Sequence, residues 1–237
     1  LLAATERGDV LSWTLDTART SDPRPGPRYA GHTAAIFDLA VAPDGERFAT
    51  ASEDGDVRLW SLAGDAPSDG VVLRGHGGPV WSVRFDRAGA RLLSASSDAT
   101  ARLWSVRSPE SAAEVLRGHT GAVWSAEFSP DGALAVTSAQ DGTARLWTLG
   151  AGASVVLPHA GTAPPGERDR DVTAATFSPD GTRVATAGAD GVVRLFDVGI
   201  EAAVADACAR AGRRLTIEEW RGALDDRPYA PACAGHE

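Results

Sequence analysis

His119, Thr137 and Asp141 put an imidazole, a hydroxyl and a carboxylate into one short stretch, GHTGAVWSAEFSPDGALAVTSAQDGTARLW at 118–147. An imidazole that takes a proton from a hydroxyl, while a carboxylate fixes its tautomer, is the apparatus of nucleophilic catalysis. The same side chains, with the Trp147 indole as a further donor, can instead close a buried hydrogen-bond network that does no chemistry. The two readings differ in copy number. A reaction needs the set once; a structural device recurs with every structural unit.

The set recurs. A histidine stands 22 residues before an aspartate at His32–Asp54, His76–Asp98 and His119–Asp141. An aromatic residue follows each turn aspartate by six, at Trp60, Trp104, Trp147 and, after Asp190, Phe196. A hydroxyl precedes each aspartate by four, at Thr50, Ser94, Thr137 and Thr186. The position two before it reads Ser52, Ser96, Ala139 and Gly188, so that hydroxyl is not maintained. The tryptophans are 44 and 43 residues apart. The end copies depart from the pattern. His159 lies 31 residues before Asp190 because of an insertion around 160–171, and Phe196 cannot donate. A truncated copy at 1–13 has Arg7 where the aspartate belongs. These end units are expected to be weaker than the middle three.

Each copy contains three short runs rich in Val, Leu, Phe, Thr and Trp, separated by turn signals. SPDG at 129–132 and 178–181 and APDG at 42–45 combine a proline that pre-sets φ with a glycine that closes a tight turn, while DRAG at 86–89 keeps only the glycine. The second turn falls at EDGD, SDAT, QDGT and ADGV. An outer run precedes each later histidine: VVLR at 71–74, EVLR at 114–117 and SVVL at 154–157. Four antiparallel strands per unit, stacked side by side, bury both faces of each sheet.

Gly-His at one end, tryptophan at the other and a period in the low forties resemble the WD40 repeat family, whose unit is one four-stranded blade of a β-propeller. The expected fold is an all-β, WD40-type propeller of four to five blades, part of a seven-bladed ring, with a short helical C-terminal tail. The division expected is a truncated blade and linker at 1–30, repeats at 31–74, 75–117, 118–157 and 158–198, and a tail at 199–237 packed on the propeller. The resemblance implies that His32, Thr50, Asp54 and Trp60, then His76, Ser94, Asp98 and Trp104, then His119, Thr137, Asp141 and Trp147 are structural tetrads. The aspartate accepts from the histidine, which meets the hydroxyl, which meets the indole.

The tail has its own composition. EAAVADACARAG at 201–212 reads as a short helix stopped by Gly212, and Thr216 with Glu219 fits a capping box opening a second. LTIEEW and RPYAPAC resemble the tail that follows the last WD40 repeat in bacterial STAND/NACHT NTPases and Ser/Thr kinases, with Trp220 and Tyr229 alternatively plain apolar anchors. Cys208 and Cys233 read as two reduced thiols or a tail-pinning bridge, and with His236 they lack metal-site spacing. No metal and no cofactor are expected.

The net charge of −9 disfavours nucleic acid as a partner. No apolar run reaches membrane-spanning length and no leader is evident, so no membrane partner and a cytoplasmic location are expected. All 23 basic residues are arginine, a bias that points to GC-rich coding. The absence of methionine points to a fragment of a longer protein. No phosphate loop, nucleophile elbow or paired-carboxylate site is present, and the charged run Glu167–Asp171 reads as solvated; the expectation is therefore no enzyme.

Repeat alignment places Phe37, Trp81, Trp124 and Thr173 at one equivalent position. Glu53, Ser97, Gln140 and Ala189 stand just before the turn aspartates. In the resembled family this ring contacts partners, and large aromatics suit anchoring, with Glu53 offering charge to a basic partner. The alternative is that the aromatics plug the channel. Two functions follow: a protein or peptide recognition module of a larger bacterial signalling protein, or a passive scaffold or autoinhibitory platform for an attached enzyme. The partners expected are a protein or peptide, together with the remaining blades and an upstream domain of the same protein.

Overall fold

The computed structural model describes residues 1–14, 23–63, 70–159 and 171–198. The described residues form five antiparallel sheets in chain order, with no helix. The first holds β1 (Leu2–Ala4), β2 (Asp9–Thr14) and β3 (Arg24–Ala30). The second holds β4 (Ile36–Val41), β5 (Arg47–Ser52), β6 (Val57–Ser61) and β7 (Val71–Leu73). The third holds β8 (Val80–Phe85), β9 (Arg91–Ser96), β10 (Thr100–Ser105) and β11 (Glu114–Arg117). The fourth holds β12 (Val123–Phe128), β13 (Leu134–Ala139), β14 (Thr143–Thr148) and β15 (Ala153–Pro158). The fifth holds β16 (Val172–Phe177), β17 (Arg183–Gly188) and β18 (Val193–Asp197). The helices expected in the tail, and the docking of Trp220 and Tyr229, lie outside the described residues.

Strand order follows chain order within each sheet, so every connection is a hairpin. The turns explain the chain's punctuation. At the second hairpin Gly8, Gly55, Gly142 and Gly191 all take positive φ, the conformation that this tight turn demands. Ala99 occupies the same corner in SDAT with φ of 66°, the one non-glycine to do so among the described residues.

Sheets stack through their apolar faces, giving four separate cores. Val10 and Tyr29 meet Ile36, Phe48 and Trp60 across the first seam. Ala51, Val57 and Leu59 meet Val83, Leu92 and Trp104 across the second. Leu93, Ala95 and Leu116 meet Ala126, Phe128 and Trp147 across the third, and Val136 and Ala144 meet Ala175, Phe177 and Val184 across the fourth. Burying each Val or Leu side chain contributes roughly 1.5–3 kcal/mol. Each sheet thus depends on its neighbours, the energetics of a repeat array.

The first strands of successive sheets lie side by side, β4 against β8, β8 against β12 and β12 against β16. Side chains stitch them together. Asp38 on β4 accepts from the Val83 amide at 3.0 Å and from the Arg84 guanidinium. One seam further on, Ser82 takes the same role toward the Ala126 amide at 3.4 Å. At the last seam Glu127 accepts from the Thr176 hydroxyl at 2.9 Å and the Phe177 amide at 3.4 Å.

Candidate functional site

The triad-like residues come together three times over. His32 Nδ1 lies 2.9 Å from Asp54 Oδ2, His32 Nε2 lies 2.7 Å from Thr50 Oγ1, and Trp60 Nε1 donates to that hydroxyl at 2.9 Å. His76, Ser94, Asp98 and Trp104 repeat the arrangement at 2.9, 2.8 and 2.8 Å. His119, Thr137, Asp141 and Trp147 repeat it again at 2.8, 2.7 and 2.9 Å. In each the hydroxyl joins β5, β9 or β13 to the tryptophan on the following strand, and the histidine ties in the loop before the sheet.

Donor and acceptor bookkeeping fixes the protons. The indole N–H must donate to the hydroxyl oxygen, so the hydroxyl proton is free to point at Nε2, and Nδ1–H donates to the carboxylate. Every polar atom is then paired by a neutral imidazole. A second proton on Nε2 would leave the hydroxyl hydrogen without an acceptor. Burial accordingly pushes the His32 and His76 pKa values below the usual histidine range, against the opposing pull of Asp54 and Asp98.

The aspartates stay ionised. Burial pushes the Asp98 carboxyl up, but hydrogen bonds from His76, Thr100 and the Gly77 amide outweigh it and hold it well below the usual carboxylate range. Asp141 behaves alike, with His119, Thr143 and the Thr120 amide as donors. At Asp54 the opposing donors are the amides of Thr33 and Asp56 and then His32. For attack on a substrate the hydroxyl must be reachable, yet Thr50, Ser94 and Thr137 are all fully buried. The geometry of a triad is present without access for a substrate.

Spacing inside one repeat gave no role to the arginine two residues before each tryptophan, although RLW recurs visibly. Arg58, Arg102 and Arg145 stack their guanidinium groups over Trp60, Trp104 and Trp147 at 5.8, 6.0 and 5.9 Å. The stack also explains the glycine of Gly-His. A Cβ on Gly31, Gly75 or Gly118 would lie 2.6, 2.6 or 2.7 Å from the guanidinium.

The fourth histidine is held differently. His159 presents Nδ1 to Thr186 at 2.6 Å and Nε2 to Asp190 at 3.3 Å, so the ring nitrogens have exchanged partners. Two sequence departures belong to this one change: Phe196 cannot donate to Thr186, and Pro158 stands where the other copies have glycine. Arg194, at the position of the stacked arginines, reaches Asp190 at 3.2 Å. Gly188 is the accommodation: a Cβ there would fall 2.4 Å from His159 Nε2, so the Ala139 of the preceding sheet has no place here.

The second group of expected site residues also assembles. Phe37, Trp81, Trp124 and Thr173 each occupy the β-bulge of a first strand, at the register shifts Ile36/Asp38, Val80/Ser82, Val123/Ser125 and Val172/Ala174. A bulged residue leaves the ladder and its side chain is re-aimed, which no alternation rule anticipates. Because the first strands are neighbours, three re-aimed rings form a row. Phe37 stacks on Trp81 with centroids 4.6 Å apart at 19°, and Trp81 meets Trp124 at 5.4 Å and 56°. Phe37 is 41% exposed, and both tryptophans are half-buried. Their indole N–H groups point inward and meet no protein acceptor, in contrast to those of Trp60, Trp104 and Trp147.

Backbone bonds bring the turn residues to the row. Glu53 N donates to Ala35 O, Ser97 N to Pro79 O, Gln140 N to Ala122 O and Ala189 N to Asp171 O, each just before a bulged strand. Glu53 and Gln140 are exposed there. Thr173 ends the row and donates to Ala187 O at 3.1 Å. Among the described residues no group of three or more His, Cys, Asp or Glu gathers as a metal could require, and no helix is long and apolar enough to cross a membrane. Cys208, Cys233 and His236 lie outside those residues.

No curated protein matches the chain. Four segments, 24–61, 69–105, 111–148 and 163–197, match the family described as WD domain, G-beta repeat; the first three each take in one sheet's outer strand and the first three strands of the next sheet, and the fourth takes in β16, β17 and β18. The tail resemblance to NTPase and kinase proteins gains no support from this match, which stops at 197. Four matched repeats, spread over most of the chain and coinciding with stacked antiparallel sheets, establish that it belongs to the WD40 repeat family.

Proposed function

We propose that the chain is a non-catalytic recognition module that holds a protein or peptide partner on the row Phe37–Trp81–Trp124, with Thr173, Glu53 and Gln140 at its margin. WD40 repeats are in general protein-interaction modules, and the row is the observation that carries the reading. Bulges at one register in neighbouring sheets spend three large rings on a half-exposed line instead of a core, and stacked aromatics are the side chains that dominate interface energetics. Glu53 and the ionised turn aspartates favour a partner with basic groups. The net charge of −9 argues against nucleic acid or an anionic membrane as the partner. The resemblance of the tail supports a place in a cytoplasmic bacterial signalling protein, with the remaining blades and an upstream domain in the same polypeptide.

The test is selection of peptides from a displayed random library against the chain. Selected peptides are expected to lose at least tenfold in affinity to a Trp81→Ala/Trp124→Ala variant whose near-UV and far-UV circular dichroism show a folded chain. They are expected to bind an Arg87→Ala variant, altered at the opposite end of the sheets, unchanged. Equal affinity for the wild type and the folded double variant overturns the reading.

A further inference from the structure

The fifth sheet is incomplete in a defined way. β6, β10 and β14 each pair with an outer strand, whereas β18 has none among the described residues. The face of the strand is bare as well. Val193 and Leu195 are 66% and 68% exposed, while their counterparts Val57 and Leu59, covered by the third sheet, are 0% and 7% exposed. A bare edge and a bare apolar face on one strand call for an occupant.

The chain's histidines identify it. There are five, and each of the four described ones directly follows an outer strand: His32 after β3, His76 after β7, His119 after β11 and His159 after β15. The fifth, His236, closes the segment RPYAPACAGH at 227–236, which aligns, with one residue more, on RPGPRYAGH at 24–32, the sequence of β3 and the residues after it. Pro231 stands five residues before its histidine, as Pro27 does. An outer strand tolerates proline because half of its amides face away from the sheet. We propose that residues 229–234 add to β18 as the outer strand of the fifth sheet.

The register follows from the other sheets. Tyr29, Leu73 and Leu116 each lie three residues before a histidine and pair with Val10, Val57 and Ala101, each three residues before a tryptophan. β15 keeps the equivalent partner, Ala144, with Leu157 one residue nearer its histidine. Carried to the fifth sheet, the rule pairs Cys233, three before His236, with Val193, three before Phe196. The pairing residues of β3, β7, β11 and β15 are buried and largely apolar, and a thiol suits that position. The connection from 199 to 228 is longer than those in the other sheets, but closure entropy grows only slowly with length.

Directly opposed residues have Cα atoms about 4.5–5.5 Å apart, within reach of a disulfide. The test uses the full chain carrying Cys208→Ser and Val193→Cys, with oxidised glutathione as the oxidant. An intrachain bond between position 193 and Cys233 is expected to form at least tenfold faster than in a control carrying Arg194→Cys, whose side chain faces the other way. Equal rates in the two variants overturn the proposal. So does a 193–233 bond between two chains, which assigns the edge to a second copy. Ala232→Pro supplies a reading without new thiols, since an inward amide of the added strand is lost. It is expected to raise amide exchange in β18 at least tenfold while β8 and β9 stay unchanged, and unchanged β18 exchange overturns the proposal.

Discussion

Thr137→Val removes one oxygen and should cost more than its counterpart two strands from the chain's described end. The Thr137 hydroxyl is fully buried and serves two partners, the His119 Nε2 at 2.7 Å and the Trp147 Nε1 at 2.9 Å. Valine keeps the shape and strands both. Each stranded buried group costs about 1–3 kcal/mol, so stranding two is expected to cost about 2–6 kcal/mol locally. Replacing Trp147 by Phe first removes one of the two groups to be stranded, and Thr137→Val in that background is expected to cost only about 1–3 kcal/mol. The packing loss of Trp147→Phe cancels in the double-mutant cycle, leaving a coupling of about 1–3 kcal/mol. The chain already holds the second corner of the cycle. Phe196 replaces the tryptophan in the fifth sheet, so Thr186→Val should strand His159 alone and cost about 1–3 kcal/mol. Native-state hydrogen exchange of the β13 and β14 amides is the assay, because it reads the stability of one sheet in a repeat array. A coupling below about 0.5 kcal/mol is the additivity of independent sites and would refute the network.

Two further outcomes follow from the turns and the titrating groups. Ala99→Gly should stabilise the third sheet by about 0.5–1 kcal/mol, because the cost of about 1–2 kcal/mol for an L side chain at φ of 66° exceeds the added freedom of the unfolded chain; a lowered urea midpoint would contradict this. Acid should weaken the chain in two stages. His32 and His76 are depressed in the folded state, so below about pH 6.5 the unfolded chain takes up protons that the folded chain resists, and stability falls. Asp54, Asp98 and Asp141 are depressed too, so their contribution, present above about pH 3.8, is lost as the pH drops through their folded values. Urea midpoints measured from pH 8 to pH 2 check both stages, and a rise on acidification from pH 7 to pH 5, or no further fall below about pH 3.8, would contradict them.

Much of this architecture was legible because it repeats. His32, Thr50, Asp54 and Trp60 could be grouped from spacing alone, since siblings at 76–104 and 119–147 keep the same intervals. Phe37, Trp81 and Trp124 could be aligned, but alternation along a strand would have turned them toward a sheet face. Only the bulge, a local register shift, explains how three rings from three sheets touch. Contacts between repeats were not legible at all. Asp38 accepting from Val83 and Ser82 accepting from Ala126 depend on how sheets stack, which within-repeat spacing does not encode. The exchanged nitrogens of His159 were half visible. Phe196, Pro158 and the stretched spacing signalled a departure, but Gly188 gained its meaning only from the ring that fills its space.

The proton placement on the four imidazoles tests the hydrogen-bond network, with its one exchanged member, most directly. Long-range proton–nitrogen correlation spectra at pH 7.5 report the tautomer of each ring. His32, His76 and His119 are expected as neutral rings protonated on Nδ1, each with a tryptophan Nε1–H held in a hydrogen bond, while His159 is expected to carry its proton on Nε2. Three rings of one kind and one of the other is the predicted result. An Nε2–H tautomer at His32, His76 or His119, or the same tautomer at His159 as at the other three, would contradict it.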